Sequence, residues 1–338
     1  MTAFGFLNCN KPVGMTSRDL VNIVAKRFRE TRDSNEPKIK LGHAGTLDPL
    51  AEGVMVLGVG RAVRLVPYVQ EQRKHYRSTF LLGQTSVSGD LEGEVISRPD
   101  LPVPSLAQLE SAARDLTGRI SQIPPAHSAI RVDGRRAYQR IRAGEEVKMP
   151  SRDVDVYRFE VTRYEFPEVD LDIVCGSGTY IRTLGMDLAK AVGSVGVMKY
   201  LRRYRIGVFS EEDALSVEEI RQCDPRTKLK LAVEGAATLP KLTVNDGDAV
   251  RLLHGLEIVG ELPSNQHYDS DTRAGNSRPA SLDTVLDETE VAAIWQNELL
   301  AIVKRREGAW WPFRVFPRSD QWPSKEQRPH LDAKDDDR

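Results

Sequence analysis

The chain has few of the features that mark secreted, zinc-binding or membrane-spanning proteins. Its three cysteines, Cys9, Cys175 and Cys223, lie far apart in 338 residues and form no CxxC pair. A disulfide framework or a cysteine zinc site is therefore not expected, and a reduced cytoplasmic setting fits best. No apolar run approaches membrane-spanning length, and the N-terminus lacks the basic and apolar regions of a signal peptide. We expect a cytoplasmic protein that does not bind a membrane.

A strong excess of charge is also missing. The formal net charge is −1, which argues against indiscriminate binding of nucleic acid. Basic residues are nevertheless clustered, since positions 131–152 hold six arginines and one lysine against one aspartate and two glutamates. A second basic group and the interleaved tyrosines are Lys199, Arg202, Arg203 and Arg205, with Tyr138, Tyr200 and Tyr204. Such groups either form solvated faces or bind RNA, with cations on phosphates and aromatic rings on unpaired bases.

The apolar patterns predict an α+β chain that is long enough for two domains. Predicted strands cover residues 4–8, 74–82, 154–166 and 169–175, the last two as an antiparallel pair. Predicted helices begin after residue 17, where Leu20, Val24 and Phe28 recur at helical spacing, after Ser105 as an N-cap, and after the glycine-rich turn at 176–178. Strands and helices do not alternate as regular βαβ units, so a mixed sheet with flanking helices is expected.

The most informative segment is residues 42–53, GHAGTLDPLAEG, in which three glycines and one proline surround Asp48. Pro49 restricts Asp48 to extended geometry, and the apolar run at 54–57 predicts a buried strand directly afterwards. The carboxylate would then be held on a stiff loop beside the core, as a catalytic group needs. Taken alone, an Asp-Pro pair is more often an ordinary turn.

The wider pattern decides between these two interpretations. Residues 42–53 resemble the catalytic loop of pseudouridine synthases, specifically the TruB-type family that modifies the T loop of tRNA. The other matching blocks follow in the family's order at residues 5–8, 11–17, 74–76, 122–125, 178–182 and 200–203. Together they cover about the first 210 residues. The resemblance implies a mixed, twisted sheet, with conversion of uridine to pseudouridine at tRNA position 55 as the reaction.

The resemblance also implies catalytic roles for three residues. Asp48 matches the essential aspartate, acting either as a nucleophile or as the base that removes the proton at C2′. Arg182 would stabilise the ionised carboxylate, although alone it could be a helix-face arginine beside a surface acid. Tyr76 would stack on the target uracil and relay a proton at C5, although a half-buried strand tyrosine is the plainer explanation.

Five further residues are expected to bind substrate by resemblance. His43 would help to occupy the opened RNA loop after the target uridine is extruded, unless it is a loop histidine satisfied by backbone. Tyr180 and Leu201 would line the uracil pocket. Lys11 and Arg203 are candidates for contacts to phosphate or to loop structure. The histidines show no metal-ligand pattern and no dinucleotide or P-loop motif is present, so neither metal nor cofactor is expected.

One position departs from the family. Glu52 stands where a small hydroxyl residue such as Thr or Ser is usual. A second acid four positions after Asp48 would raise the pKa of that carboxyl if it pointed inward. We expect instead that Glu52 faces solvent or meets a nearby base, because the flanking motif is intact.

The expected organisation is a catalytic domain over residues 1–235 and a smaller domain over 238–318. Residues 246–253 resemble the start of the PUA-like β-barrel that is often appended in this family, and 299–303 and 313–316 are candidate strands. Residues 261–282 look like a polar insertion and 319–338 like a disordered tail. The expected partner is the T loop and T stem of tRNA, bound by a monomer. The alternatives are a noncatalytic RNA-binding or RNA-folding protein, and a synthase acting on another RNA.

Overall fold

The computed structural model describes residues 3–32, 38–125, 131–132, 135–136, 149–259 and 289–316. Its strands are β1 (Gly5–Lys11), β2 (Leu41–His43), β3 (Ala51–Val59), β4 (Lys74–Leu82), β5 (Gln84–Ser86), β6 (Val95–Ser97), β7 (Gly118–Gln122), β8 (Arg131–Val132), β9 (Arg135–Arg136), β10 (Arg152–Glu165), β11 (Glu168–Cys175), β12 (Gly196–Ile206), β13 (Phe209–Ser210), β14 (Lys241–Thr243), β15 (Glu290–Trp295), β16 (Glu298–Arg306) and β17 (Ala309–Val315). Its α-helices are α1 (Ser17–Glu30), α2 (Val66–Glu71), α3 (Leu106–Asp115), α4 (Ile181–Ala191), α5 (Val217–Gln222), α6 (Ala232–Gly235) and α7 (Asp246–Leu253), with 3₁₀ turns at Gly60–Leu65, Glu211–Asp213 and Pro225–Lys228.

A mixed sheet forms the first and larger part of the molecule. Its strand order is β1-β3-β12-β4-β11-β10-β7, with β2 paired to β3 and β13 to β12. Strand β12 lies in the middle, parallel to β3 and antiparallel to β4. The α+β expectation is confirmed, and β4 has the predicted bounds. The sequence analysis did not predict β12, because its many charged side chains looked like a surface segment.

Local signals in the sequence explain where the helices begin. Thr16 caps α1 and Ser105 caps α3, each in a capping box with the side chain three residues later. The predicted apolar stripe of α1, Leu20, Val24 and Phe28, is buried. Helix α4 follows the turn at 176–178 as predicted, with Tyr180 at its N-cap position.

Alternation along β4 divides the sheet into a packed face and an open face. Tyr76 and Phe80 point into a core shared with α3 and α4, whereas Arg77 is exposed on the other side. Cys175 is fully buried at the end of β11. At β4 the packed face carries one cluster of the core, and the loops at its edge therefore have a rigid base.

The second part is a four-stranded sheet, β14-β15-β16-β17, with α7 packed on it. Helix α7 has the bounds that the sequence indicated, β16 contains the candidate strand 299–303, and β17 contains the candidate strand 313–316 except for Phe316. The PUA-like barrel remains a prediction, as do the domain limits 1–235 and 238–318. The expected insertion at 261–282, the expected tail at 319–338 and most of the basic stretch at 131–152 lie outside the described residues.

Candidate active site

The loop that carries Asp48 connects β2 to β3 and is held at several points. The Ser17 hydroxyl donates to the Leu47 carbonyl at 2.8 Å and accepts from the Leu47 amide at 2.9 Å. On the other side of Asp48, the Gly14 amide donates to the Pro49 carbonyl at 2.8 Å. The start of α1 and the turn before it therefore bracket the carboxylate, as the family resemblance requires of a rigid catalytic loop.

Gly53 lies near the start of β3, in a conformation that only glycine adopts easily. Its φ is +105°, and a Cβ at this position would lie 2.2 Å from the carbonyl oxygen of Arg203. The close approach allows β3 to begin beside β12, where Arg203 is the register partner of Gly53. The glycine in the motif thus sets the distance between the catalytic loop and the central strand.

Asp48 forms an ion pair with Arg182, which is itself paired with a second carboxylate. Arg182 Nη2 contacts Asp48 Oδ2, and Arg182 Nη1 lies 3.1 Å from Asp90 Oδ2 and donates to the Ser88 carbonyl at 2.7 Å. The side chains of Arg182 and Asp90 are 9% and 2% exposed, whereas that of Asp48 is 44% exposed. The arginine is therefore fixed from below by a buried acid, and the carboxylate that it orients stays open to a ligand.

Asp48 and Arg182 line one cavity of about 350 Å³, within the range of small-ligand pockets. Of the eight residues that the sequence predicted, the cavity brings together Asp48, Tyr76, Arg182, Tyr180, Leu201 and Arg203. Its remaining lining is formed by Ala44, Gly45, Thr46, Leu47, Gln70, Lys74, Arg152, Ser177, Gly178, Thr179, Ile181 and Met198. The cavity joins an exposed carboxylate to apolar and aromatic walls, as an extruded nucleotide requires.

Tyr76 forms part of the cavity wall. It is buried on β4, opposite Ile173 of β11 and Arg203 of β12. Burial raises the pKa of its phenol, and the guanidinium of Arg203 beside it partly offsets this effect. The phenol therefore stays protonated at neutral pH, and the ring presents a flat apolar surface to the cavity.

Tyr180 and Leu201 also line the cavity, from α4 and β12. The side-chain amide of Gln122 holds the backbone of Tyr180 through two hydrogen bonds. Gln122 Oε1 accepts from the Tyr180 N–H at 2.7 Å, and Gln122 Nε2 donates to the Tyr180 carbonyl at 3.1 Å. Gln122 is buried at the end of β7. The sequence analysis noted it only within a matching block and gave it no role.

Lys11 and Arg203 are both buried, and their side chains donate to backbone carbonyls. Lys11 Nζ donates to the carbonyls of Pro12 and Met15, in the turn before α1, and burial lowers its pKa to about 8. Arg203 lines the cavity and donates to the carbonyls of Val54 in β3 and Gly45 in the catalytic loop at 2.8 and 3.0 Å. The expected contacts of Lys11 and Arg203 to phosphate or to loop structure stay predictions.

His43 is the last residue of β2 and stands just before the catalytic loop. Burial lowers the pKa of its imidazole, and the nearby cations Arg203 and Arg18 lower it further. The ring is therefore neutral at pH 7. It does not line the cavity, and its expected role in the opened RNA loop remains a prediction.

Glu52 meets a nearby base, as expected. Its Oε1 accepts from the Tyr200 hydroxyl at 2.8 Å and from Arg202 Nη1 at 3.2 Å. Because side chains alternate along a strand, Glu52 lies on the opposite face of β3 from Ala51, which packs beside Leu47 and Tyr76. Its charge is balanced there, away from Asp48.

The second basic group takes part in contacts within the protein, and its binding to RNA stays a prediction. Lys199 pairs with Glu168, and Arg202 pairs with Glu52 and with Glu211. Arg203 is buried, and Arg205 Nε donates to the Gly207 carbonyl at 2.9 Å. The basic residues do cluster along β12, but their acidic partners lie on other strands and turns, which a sequence pattern does not reveal.

The sequence analysis gave no role to two residues of the site, Asp90, which pairs with Arg182, and Lys74, which lines the cavity. Asp90 lies in a polar segment, 86–93, whose composition resembles any exposed turn. Lys74 was noted only within a matching block. Its Nζ donates to the carbonyls of Gln70 and Gln72, and burial lowers its pKa to about 8.

Within the described ranges, no three His, Cys, Asp or Glu side chains gather as a metal site would require. None of the helices in the part of the chain that the structure describes has the length and apolar character needed to cross a membrane.

The fold has counterparts among solved structures. One is the crystal structure of a Cbf5–Nop10–Gar1 complex. The match covers 95% of this chain and 88% of the matched chain, with a TM-score of 0.66 and 23% sequence identity. Another is the structure of an H/ACA RNP bound to a substrate RNA containing 2′-deoxyuridine. Here the match covers 95% of this chain and 87% of the matched chain, with a TM-score of 0.63 and 22% sequence identity. At these identities the likeness establishes the mixed α+β fold.

Sequence relatives define the class and then the family. Residues 32–181 match the TruB family pseudouridylate synthase N-terminal domain. The tRNA pseudouridine synthase B of Rhodopirellula baltica is 40% identical over 336 residues, which is 94% of this chain and 95% of that protein. The protein of the same name from Thermobifida fusca is 36% identical over 322 residues, 93% and 99% of the two chains.

The chain is therefore a pseudouridine synthase, an isomerase that converts uridine to pseudouridine. Within this class it belongs to the TruB family, which confirms the resemblance found in its sequence.

Proposed function

We propose that this enzyme isomerises the uridine at position 55, in the T loop of tRNA, and that Asp48 is its catalytic carboxylate. The observation that carries the proposal is the chain of charges from Asp90 through Arg182 to Asp48. Binding alone needs no such arrangement, because a buried acid that fixes an arginine serves to orient one exposed carboxylate.

The reaction breaks the bond between ribose C1′ and uracil N1 and rejoins the ring through C5. The proton at C5 is lost and N1 gains one, so no redox step is involved. Asp48 acts beside the ribose, as a nucleophile or as the base at C2′, and both routes need an ionised, oriented carboxylate. The Arg182 guanidinium supplies both properties.

The rest of the cavity suits a uracil that leaves its glycosidic bond and turns. Tyr76 and Leu201 provide apolar walls on which the base can stack and rotate. We assign Tyr76 to the proton relay at C5, in which the phenol oxygen takes up the C5 proton as it passes its own proton to water. The target uridine has to be extruded from the stacked T loop to reach this cavity, with His43 taking part in the opened loop.

The same proposal covers the remaining architecture. The second sheet would contribute a PUA-like surface for the T stem, and the enzyme would act as a monomer in the cytoplasm, where tRNA is processed. Neither a metal nor a cofactor takes part in the proposed reaction.

The test is site-resolved pseudouridine mapping on an unmodified tRNA incubated with purified protein and no added cofactor. We expect the wild-type enzyme to modify the T-loop uridine alone, and Asp48→Asn to form no product while it still binds the tRNA. Asp100→Asn is the matched control, because Asp100 is an exposed acid paired with Arg98 outside the cavity.

The alternatives predict different results. If the folded wild-type protein binds tRNA without forming pseudouridine, it is an RNA-binding or RNA-folding protein. Product at another tRNA position, or only in a different RNA, would refute the assignment to position 55. Activity retained by Asp48→Asn would remove Asp48 from the chemistry.

A further inference from the structure

Four cations line the cavity, and one of them differs from the others in its surroundings. Lys74, Arg182 and Arg203 are buried and donate to backbone carbonyls or carboxylates of the protein. Arg152 is only half-buried, and among the described residues no carboxylate forms an ion pair with it. Of the four, Arg152 is the cation that an entering anion can reach.

The Arg152 guanidinium has a defined position at the cavity edge. Its Nη2 donates to the Gly178 carbonyl, and its Cζ lies 4.9 Å from the centre of the Tyr180 ring. A Cβ at Gly178 would be 3.2 Å from this Cζ, so the glycine leaves the space that the guanidinium occupies. These neighbours hold the Arg152 guanidinium in one position, so that it does not move freely.

One hydrogen-bond donor of the Arg152 guanidinium, Nε, is unused. Arg152 Nε is buried and has no hydrogen-bond acceptor among the described residues, and the same holds for Arg182 Nε in the same cavity. Unpaired buried donors are rare in folded proteins because they lose their hydration without compensation. The contacts within the described residues therefore leave part of the hydrogen-bonding capacity of the Arg152 guanidinium unused.

We propose that Arg152 binds a phosphodiester next to the extruded uridine and so positions its ribose against Asp48. This inference rests on the proposed function, because it requires RNA in the cavity. A guanidinium recognises phosphate through a planar fork of donors and a full charge. A nucleotide turned out of its loop carries a phosphate on each side of its ribose, and one of these then lies at the cavity edge.

The first measurement compares tRNA affinity across a series of salt concentrations. We expect Arg152→Met to weaken binding about 10-fold, as the loss of a charged hydrogen bond does. The slope of log Kd against log salt should fall by about 0.7, one phosphate contact on a single strand. Arg119→Met is the matched control, since Arg119 is an exposed arginine on neighbouring β7, paired with Asp153. It should leave both values unchanged.

The second measurement removes the charge from the RNA instead. In tRNAs carrying one neutral methylphosphonate, on the 5′ or the 3′ side of the target uridine, one of the two positions should weaken binding to the wild type about 10-fold. The same substitution should have no further effect on Arg152→Met. Arg152→Lys keeps the charge without the fork and should retain the salt slope while slowing the single-turnover rate. Arg152→Lys and the methylphosphonate RNAs keep the inference testable if Arg152→Met does not fold.

The inference is overturned if the salt slope of Arg152→Met equals that of the wild type, or if Arg119→Met lowers tRNA affinity as much as Arg152→Met does. It is also overturned if the losses of affinity caused by the methylphosphonate and by Arg152→Met add in full. A loss of affinity without a change of slope would mean that Arg152 meets a neutral acceptor on the base or sugar. Product on unmodified tRNA is scored separately. If the wild type forms product and the slopes agree, this inference alone fails, whereas absence of wild-type product overturns the proposed function and this inference with it.

Discussion

At the scale of single residues, the site depends on a difference in burial between two acids. Arg182 contacts both Asp48 and Asp90, yet only Asp48 is open to the cavity. A buried charge keeps its partner in place because separating the pair would leave an uncompensated charge in a medium of low dielectric. Asp90 thus positions Arg182, and Arg182 orients the exposed carboxylate of Asp48.

Substitution of Asp90 tests this arrangement. Asp90→Asn removes the buried charge while keeping the shape, so we expect Arg182 to lose its fixed orientation and kcat to fall about 10- to 100-fold with KM little changed. Single-turnover pseudouridine formation and steady-state kinetics on tRNA measure the two effects. A lower melting temperature with normal kcat would show instead that Asp90 serves stability alone.

At the scale of elements, β12 organises the site from the middle of the sheet. Leu201 lines the cavity, Arg203 donates to the Gly45 carbonyl in the catalytic loop and to the Val54 carbonyl in β3, and Arg202 pairs with Glu52 on the opposite face. Successive residues of one strand therefore serve the pocket, the loop and the outer surface. This division follows from strand alternation and from the parallel pairing with β3.

The close approach of β3 to β12 leads to a prediction about Gly53. Gly53→Ala places a Cβ against the Arg203 carbonyl in a backbone region that side chains disfavour, so we expect the free energy of unfolding to fall by about 2 kcal/mol or more. Activity should fall with it, because the loop bearing Asp48 shifts. Urea denaturation and tRNA modification assays measure both changes.

Gly14 is the matched control for this prediction. Its φ is +81°, but a Cβ there would meet nothing within 4 Å. Gly14→Ala should therefore cost only about 1 kcal/mol, from backbone strain alone. Equal losses at the two glycines would contradict a role for the contact between β3 and β12.

At the scale of the whole molecule, the two sheets share a hydrophobic core. Phe4 of the first part stacks on Phe316 of the second with ring centroids 5.6 Å apart, and Leu299 and Ile302 pack into the same cluster as Phe6. Burial of this apolar surface couples the two parts, so that they should unfold together.

Phe316 tests this coupling. We expect Phe316→Ala to lower the free energy of unfolding by about 3 kcal/mol, because Phe316 is only 2% exposed. Phe313→Ala is the control, since Phe313 is 42% exposed on the same segment and should change stability by less than about 1 kcal/mol. Two separate thermal transitions in the wild-type protein would contradict the coupling.

The sequence predicted several helices and strands, although not β12, and many of the residues that the cavity brings together. The bounds of β4 and α7 and the cap of α3 at Ser105 came from local patterns, and the motif around Asp48 led to Arg182 and Tyr76. Asp90 was missed because a polar turn has no periodic signal. The burial of Lys11 and Arg203 against carbonyls was not predicted, because a lysine or arginine is rarely expected to be buried.

The sequence by itself determined what depends on near neighbours: helix starts, strand alternation, the stiff loop around Asp48 and membership of the TruB family. Only the tertiary structure decided which charges meet. Asp48 and Arg182 are 134 positions apart, and Glu52 and Arg202 are 150 apart, so their pairing follows from the order of strands in the sheet. Periodicity and capping act within a few residues of the chain, whereas ion pairs and buried contacts form between whatever surfaces the fold brings together.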